Sequence, residues 1–469
     1  MESHIQSKVE DSLIAGLDFS SPAGATYVLS RTSTSWPPSG GNTYQSPNGV
    51  RLMRFTVSDP IQFLDPSQCR LTFTLTNTDA TAAGALPMAP LCPPTCWFQR
   101  ARLLCNGTVI EDIQYNSRLQ YMKYCLQPHQ RNLQDLIEMP WALETDRPPL
   151  MARSIAPNAS VRFSMPLPFG LFDQPLFIFL KALPLTIELE LADGPTWLAG
   201  ATIAGDRWST AWPAVNTGAA PAAVAARNTT NYTISDVMLR TDLVTVDSGI
   251  VDQYAQHLLA GRPLSIPFST HVGVFQVLPG GGNFTAQDMR ALSRIKSIFW
   301  SFCNSTIPAA PPPHTSNVTL HLSGLALPAA GALQPAYLDA DAAATLLAVD
   351  TYQWQLQIGG KCWPQQPCRG ISETYFRLRQ CLDHTEAGWT SILPSQYRTV
   401  LFFNGVDLEK AAIGSGGGAS FTGVNTRGGE SVCLTVSGLP QTAAPNQIFL
   451  YIHADIILNA TANGCEILE

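Results

Sequence analysis

Leu239-Arg-Thr-Asp-Leu-Val244 and Ile452-His-Ala-Asp-Ile-Ile457 set the same apolar pattern around a central aspartate, and the two aspartates stand 213 positions apart in a chain of 469. An offset close to half the length is what duplication of one folding unit would leave. The second stretch lies in Ile448-Phe-Leu-Tyr-Ile-His-Ala-Asp-Ile-Ile-Leu458, apolar on both faces as a strand inside a sandwich must be. Outward from it, period-2 alternation recurs and long 3.6-period stretches are few. Leu71, Phe73 and Leu75 alternate with Thr72, Thr74 and Thr76, and Tyr352, Trp354, Leu356 and Ile358 with Gln353, Gln355 and Gln357. Val318-Thr-Leu-His-Leu322 reads as a further strand. The pattern predicts an all-β protein.

Between the repeated stretches, Asp247 or Ser248 can cap a short helix whose Val251, Tyr254 and Leu258 share a face and which Gly261 ends. Pro263-Leu-Ser-Ile-Pro-Phe268 then opens a strand whose prolines suit an edge or a strand start. The expected division is an N-terminal segment 1–20, a first β unit 21–247, a linker helix 248–261 and a second β unit 262–469. In residues 3–18, Ile5, Val9, Leu13 and Leu17 recur every fourth position, which predicts a short amphipathic helix. Asn106-Gly107 and Asn404-Gly405, each between apolar runs, both read as type I′ hairpin turns. Trp36–Asn48, Thr78–Thr95, Ala199–Ala226, Pro308–Thr315 and Gly414–Gly418 read as elaborated surface loops.

A length of 469 residues suits two large domains better than one. Charged residues are 13% of the chain, about half the usual share, while 34 Gly and 36 Pro stay below the level of low-complexity disorder. A formal charge of −7 without a basic run argues against direct, sequence-specific or tight nucleic-acid binding. The opening Met1-Glu-Ser-His-Ile-Gln-Ser-Lys carries charge where an export signal has an apolar core, so folding in a reducing compartment is expected. The eleven cysteines then read as mostly free, buried small hydrophobes. Prolines interrupt the longest uncharged stretches, which excludes a spanning helix there.

Enzyme signatures are missing. The sequence contains no Gly-x-Ser-x-Gly elbow, His-Glu-x-x-His helix, phosphate-binding Gly-x-x-x-x-Gly-Lys-Ser/Thr loop or Gly-x-Gly-x-x-Gly fingerprint. Gly280–Gly282 and Gly416–Gly418 lack the lysine that phosphate cradling needs and read as turns. Cys92 and Cys96 have half-site zinc spacing, with Cys362 and Cys368 as the conceivable other half, but no histidine stands at ligand spacing. Asp383-His-Thr-Glu386 reads as a solvated loop rather than an acid–base pair, and Asp339, Asp341 and Asp350 as a polar turn rather than a calcium loop. Arg290, Arg294 and Lys296 stand at helical spacing and predict a solvated helix face or a subunit salt bridge. Catalytic, cofactor-binding and metal residues are therefore expected to be none.

Low charge on a large chain without an active site points to burial against other copies, because interface cores are poor in charge and rich in aromatics. Tyr232-Thr-Ile-Ser-Asp-Val-Met-Leu-Arg-Thr-Asp-Leu-Val-Thr-Val-Asp247, the helix running into Gly261-Arg-Pro-Leu-Ser-Ile-Pro-Phe268, and Tyr451–Leu458 resemble the corresponding elements of the double jelly-roll major capsid proteins of eukaryotic double-stranded DNA viruses. The most similar members are those of polinton-like viruses and virophages, then those of large algal DNA viruses. The resemblance implies two consecutive eight-stranded jelly rolls with short helices and long loops, and a pseudo-hexameric homotrimer that tiles an icosahedral shell. It implies no catalytic residue. It also implies neighbouring capsomers and penton and minor capsid proteins as partners, and a place in the virion after synthesis in the host cytoplasm or assembly in a cytoplasmic or nuclear virus factory. The N-terminal segment would face the virion interior, against an inner membrane, a minor protein or a neighbouring capsomer. The ten tryptophans keep a second reading open, a two-domain lectin-like carbohydrate-binding β-sandwich protein.

Overall fold

The structure, a computed structural model, describes residues 28–46, 49–79, 85–90, 92–143, 151–192, 197–198, 229–278, 283–303, 352–382, 402–409, 423–439, 447–461 and 464–468, with positions 390, 392 and 397. In the first half the elements are β1 (Val28–Trp36), β2 (Thr43–Tyr44), β3 (Leu52–Val57), β4 (Phe63–Asn77), β5 (Phe98–Cys105) and β6 (Thr108–Gln114). Helices α1 (Asn116–Leu126) and α2 (His129–Glu138) follow, then β7 (Ala142–Leu143), β8 (Met151–Ala152), β9 (Ser160–Pro166), β10 (Ile178–Phe179), β11 (Leu185–Leu191) and β12 (Tyr232–Val246). Helix α3 (Ser248–Leu259) leads to β13 (Leu264–Val277), β14 (Phe284–Asp288), β15 (Ile295–Cys303), β16 (Gln353–Ile358) and β17 (Lys361–Arg369). Helix α4 (Gly370–Cys381), β18 (Asn404–Asp407), β19 (Val432–Ser437), β20 (Gln447–Thr461) and β21 (Gly464–Leu468) complete the elements of the described residues.

These strands make two sandwiches with the same connectivity. In the first, β1, β12 and β4 lie side by side with β9 beyond β4, facing a sheet ordered β3-β11-β5-β6. In the second, β13-β20-β15-β18 faces β14-β19-β16-β17. The first sandwich thus packs a six-stranded sheet, which β2 and β10 complete, on a four-stranded one, and the second a five-stranded sheet, which β21 completes, on a four-stranded one, around an order that two interleaved Greek keys produce. The closing strands β12 and β20 occupy equivalent places and carry Asp242 and Asp455, so the sequence correspondence marks a topological one. A helical insertion follows the same strand in both halves, α1 and α2 after β6 and α4 after β17.

The alternating residues fill the cores as expected. Leu71, Phe73 and Leu75 are fully buried, as are Trp354, Leu356 and Ile358. Trp97 stacks on Trp197 with ring centroids 3.9 Å apart and meets Phe73 and Phe163, while Trp300 meets Trp354 edge-on at 4.8 Å. Side chains of this size stabilise the fold by about 1.5–3 kcal/mol each on burial. Helix α3 covers the outer face of the first sandwich, where Val251 and Leu258 pack with Phe63, Phe179 and Val244.

Three expectations need correction. Asn106-Gly107 makes the two-residue hairpin between β5 and β6, both residues at positive φ, but Asn404-Gly405 lies within β18. Gly405 is small because α4 crosses it: a Cβ there would stand 3.1 Å from Leu378 Cδ1 and Cys381 Sγ. Arg290, Arg294 and Lys296 form no helix face, since β14 ends at Asp288 and β15 starts at Ile295. The stretch 78–95, read as a surface loop, buries Met88, Ala89 and Cys92 in its described part, and Asn77 fastens it by donating to the carbonyls of Leu86 and Ile155. The stretch 36–48, by contrast, is largely exposed in its described part, with Tyr44 buried where its short strand β2 pairs with β12. The N-terminal helix, the strand at 318–322 and the loops 199–226, 308–315 and 414–418 lie outside the described residues.

Candidate functional site

Where the two sandwiches meet, the first contributes β6, the start of α1 and the turn at Gly170–Phe172, and the second contributes β13 and β20. The approach is close enough to dictate glycine twice. A Cβ on Gly170 would lie 1.7 Å from the Ser269 carbonyl oxygen, and one on Gly273 would lie 2.5 Å from that of Gln114. Glu111 of β6 sits buried at this contact. Its carboxylate accepts the backbone N–H groups of Gly170 and Leu171 at 3.0 and 2.9 Å and, from the other sandwich, the Thr270 hydroxyl at 2.7 Å. Burial pushes its pKa up to about 7, against the opposing pull of those three donors.

Beside it, Tyr115 begins α1 at φ 55 and inserts between Phe275 and Phe449. The Tyr451 hydroxyl donates to the Tyr115 carbonyl at 3.2 Å, and the Arg118 guanidinium covers the Phe449 ring at 4.1 Å. Further along the same face, His271 and His453 are register partners on β13 and β20 and stack at 4.4 Å. Burial, together with the nearby Lys123 and Lys296 ammonium groups, holds His453 down at about 3 and His271 well below the usual imidazole range. Lys296 lies between Asp455 at 3.5 Å and Glu409 at 3.6 Å, and Ser269 donates to Asp455. The seam is thus a joint of aromatic packing and buried polar groups, a geometry suited to fixing the relative placement of two sandwiches.

The residues singled out for chemistry do not converge. Cys92 and Cys96 are buried in the first sandwich near Tyr121 and Cys125, whereas Cys362 and Cys368 lie on β17 of the second. Among the described residues no group of three His, Cys, Asp or Glu side chains is placed to hold a metal ion. Residues 280–282, 339–350, 383–386 and 416–418 are outside the described residues. Sequence reasoning missed Glu111, Gly170 and Thr270. The one local signal was a carboxylate inside the apolar run Val109-Ile-Glu-Asp-Ile113.

Two such sandwiches, consecutive in one chain and joined along a buried seam, define the double jelly-roll class. No family model and no curated protein matches the sequence. Among solved structures, the chain is similar to VP54 of PBCV-1, as fitted into a reconstruction of the virophage Sputnik, with 13% identity, 96% of this chain and 99% of that chain covered, and a TM-score of 0.58. The Faustovirus major capsid protein gives 12% identity over 95% of this chain and 92% of that one, with a TM-score of 0.59. A chain from the Sputnik virophage structure gives 9% identity over 96% and 90%, with a TM-score of 0.54. Likeness at these identities is one of fold, and it spans nearly the full length of both partners.

Proposed function

We propose that this chain is the major capsid protein of an icosahedral virus, a homotrimer whose six sandwiches form a pseudo-hexagonal tile. The observation that carries the reading is the repeated strand order of the two sandwiches, fixed to each other by the seam, within a fold matched end to end by viral capsid proteins. Two equivalent sandwiches per chain and three-fold symmetry approximate six-fold packing, so one chain tiles a facet. The proposed units are residues 21–247 and 262–469, joined by 248–261. Penton and minor capsid proteins are the proposed further partners. The segment 1–20 is assigned to the virion interior, and the virion is the proposed location after assembly in the host cytoplasm or a virus factory. The lectin-like alternative is disfavoured because Trp97, Trp141, Trp197, Trp300 and Trp354 are buried in the cores rather than presented to a sugar.

Light scattering after size exclusion tests the reading. A mass of three chains is expected to persist across micromolar dilution, because obligate interfaces bury ~2,000 Å² or more. A monodisperse monomer over that range overturns it.

A further inference from the structure

Cys105 closes β5 beside the Asn106-Gly107 turn of the first sandwich, and Cys465 lies in β21, the last strand of the second. The Cys465 thiol donates to the Cys105 carbonyl at 3.7 Å, across 360 residues of sequence, which sets the two cysteines side by side. We propose that Cys105 and Cys465 form a disulfide that locks the two sandwiches together when the protein passes from a reducing to an oxidising environment.

The surroundings single out this pair. Cys92 and Cys96 stand four residues apart, but both are sealed in the core, where an oxidant has no path. Cys362 is exposed, yet it and Cys433 flank Gln357 from opposite neighbouring strands, which sets them about 9–10 Å apart, beyond the ~7 Å that a disulfide spans. Cys465 is half-buried at the end of the seam and Cys105 is buried behind it, an order that suits stepwise exchange. The Cys465 thiolate attacks one sulfur of oxidised glutathione, breaking its S–S bond and releasing one glutathione thiolate. The Cys105 thiolate then attacks the Cys465 sulfur, breaking the mixed disulfide and releasing the second glutathione. Two protein thiols lose two protons and two electrons, and one oxidised glutathione becomes two reduced ones. Burial holds the Cys105 thiol up at about 12, so the second step is the slow one. The bond would close a loop of 360 residues, and the restriction it places on the unfolded chain is the source of the added stability.

The test uses the purified full-length protein, equilibrated in glutathione buffers from fully reduced to fully oxidised, alkylated and mapped by mass spectrometry after proteolysis. The expected result is a peptide pair joined through Cys105 and Cys465, two fewer alkylated thiols per chain and a higher melting temperature, all reversed by dithiothreitol. Cys465→Ser should remove the joined peptides and the melting shift while leaving the reduced protein's melting temperature unchanged. Exposed Cys362 serves as the internal control, since its glutathione adduct shows that the oxidant acted. Separate alkylation of Cys105 and Cys465 in samples carrying that adduct overturns the proposal. Arrest at a glutathione adduct on Cys465, or joining of either residue to another cysteine, overturns it equally.

Discussion

Gly170 and Gly107 separate two reasons for which a chain keeps glycine. At Gly107 the backbone has φ +86 and nothing lies near a Cβ, so alanine there meets only the penalty of the left-handed region, about 1–2 kcal/mol. At Gly170 a Cβ would penetrate the Ser269 carbonyl, and the two sandwiches must part to admit it. Gly170→Ala should therefore cost more than Gly107→Ala, about 2–4 kcal/mol with the exposed seam included, measured as the shift in urea midpoint. Equal costs would show that the seam yields without consequence. The same contrast explains what the sequence disclosed. Asn106-Gly107 was readable because a turn is local, whereas Asn404-Gly405 looked identical and is a strand segment, with Asn404 accepting from the Tyr352 hydroxyl and α4 lying over Gly405.

Glu111 makes a second prediction at this scale. Its folded pKa of about 7 lies above the ordinary 4.5, so its contribution to stability is fully present below pH 4.5 and is lost as pH rises through 7. That window amounts to about 3 kcal/mol. Glu111→Gln leaves one of the three facing donors without an acceptor and should cost ~1–2 kcal/mol in acid. It should also erase the slope, so the variant, less stable than wild type at pH 4.5, should match or exceed it by pH 7.5. A difference independent of pH would refute the assignment.

At the scale of elements, the closing strands were the most legible part. The run Ile448–Leu458 is apolar on both faces because β20 is central, with its own core on one side and the first sandwich on the other. The match of Asp242 with Asp455 survives as equivalence of position, yet each aspartate is neutralised differently. Asp242 pairs with Arg31 of the edge strand β1, and Asp455 with Lys296 of β15, where the register shifts between Ile295 and Ser297. Helical spacing of Arg290, Arg294 and Lys296 misled because the shift breaks the period-2 reading just where the lysine must turn toward β20. Lys296→Met leaves buried Asp455 and nearby Glu409 without their shared cation and should destabilise by about 1–3 kcal/mol. Adding Asp455→Asn should recover a substantial part of that loss in thermal melts, because the amide still accepts from Ser269. Purely additive losses would mean that Lys296 acts by packing alone.

At the scale of the molecule, the seam depends on contacts between residues far apart in the chain, which periodicity does not encode, and it sets the response to acid. Facing His271 and His453 are Ser297 on β15, Lys296 with Asp455 and Glu409 beyond it, and from the first sandwich Lys123 with Asp173 and Glu111 near it. Both imidazoles are held below their ordinary 6.5, so the stability they contribute is present above that pH and lost as pH falls toward 3. Between pH 6.5 and 4.5 protonation of Glu111 opposes this loss. Below pH 4.5 Glu111 carries its proton in both states and offers no further compensation. The protein should therefore lose stability gradually through mild acid, where one carboxyl opposes two imidazoles, and then fall about twice as steeply, the second imidazole charging against the first and against two lysines. His453→Gln keeps a polar side chain against Ser297 but carries no charge, and should reduce the loss between pH 4.5 and 3.5 by about 1–2 kcal/mol in urea titrations. Because the first charge to enter the seam pushes Lys123 from β13 and β20, increased proteolysis between the sandwiches should precede loss of the far-ultraviolet β signal. If His453→Gln follows the wild-type curve throughout, the acid response originates outside the seam.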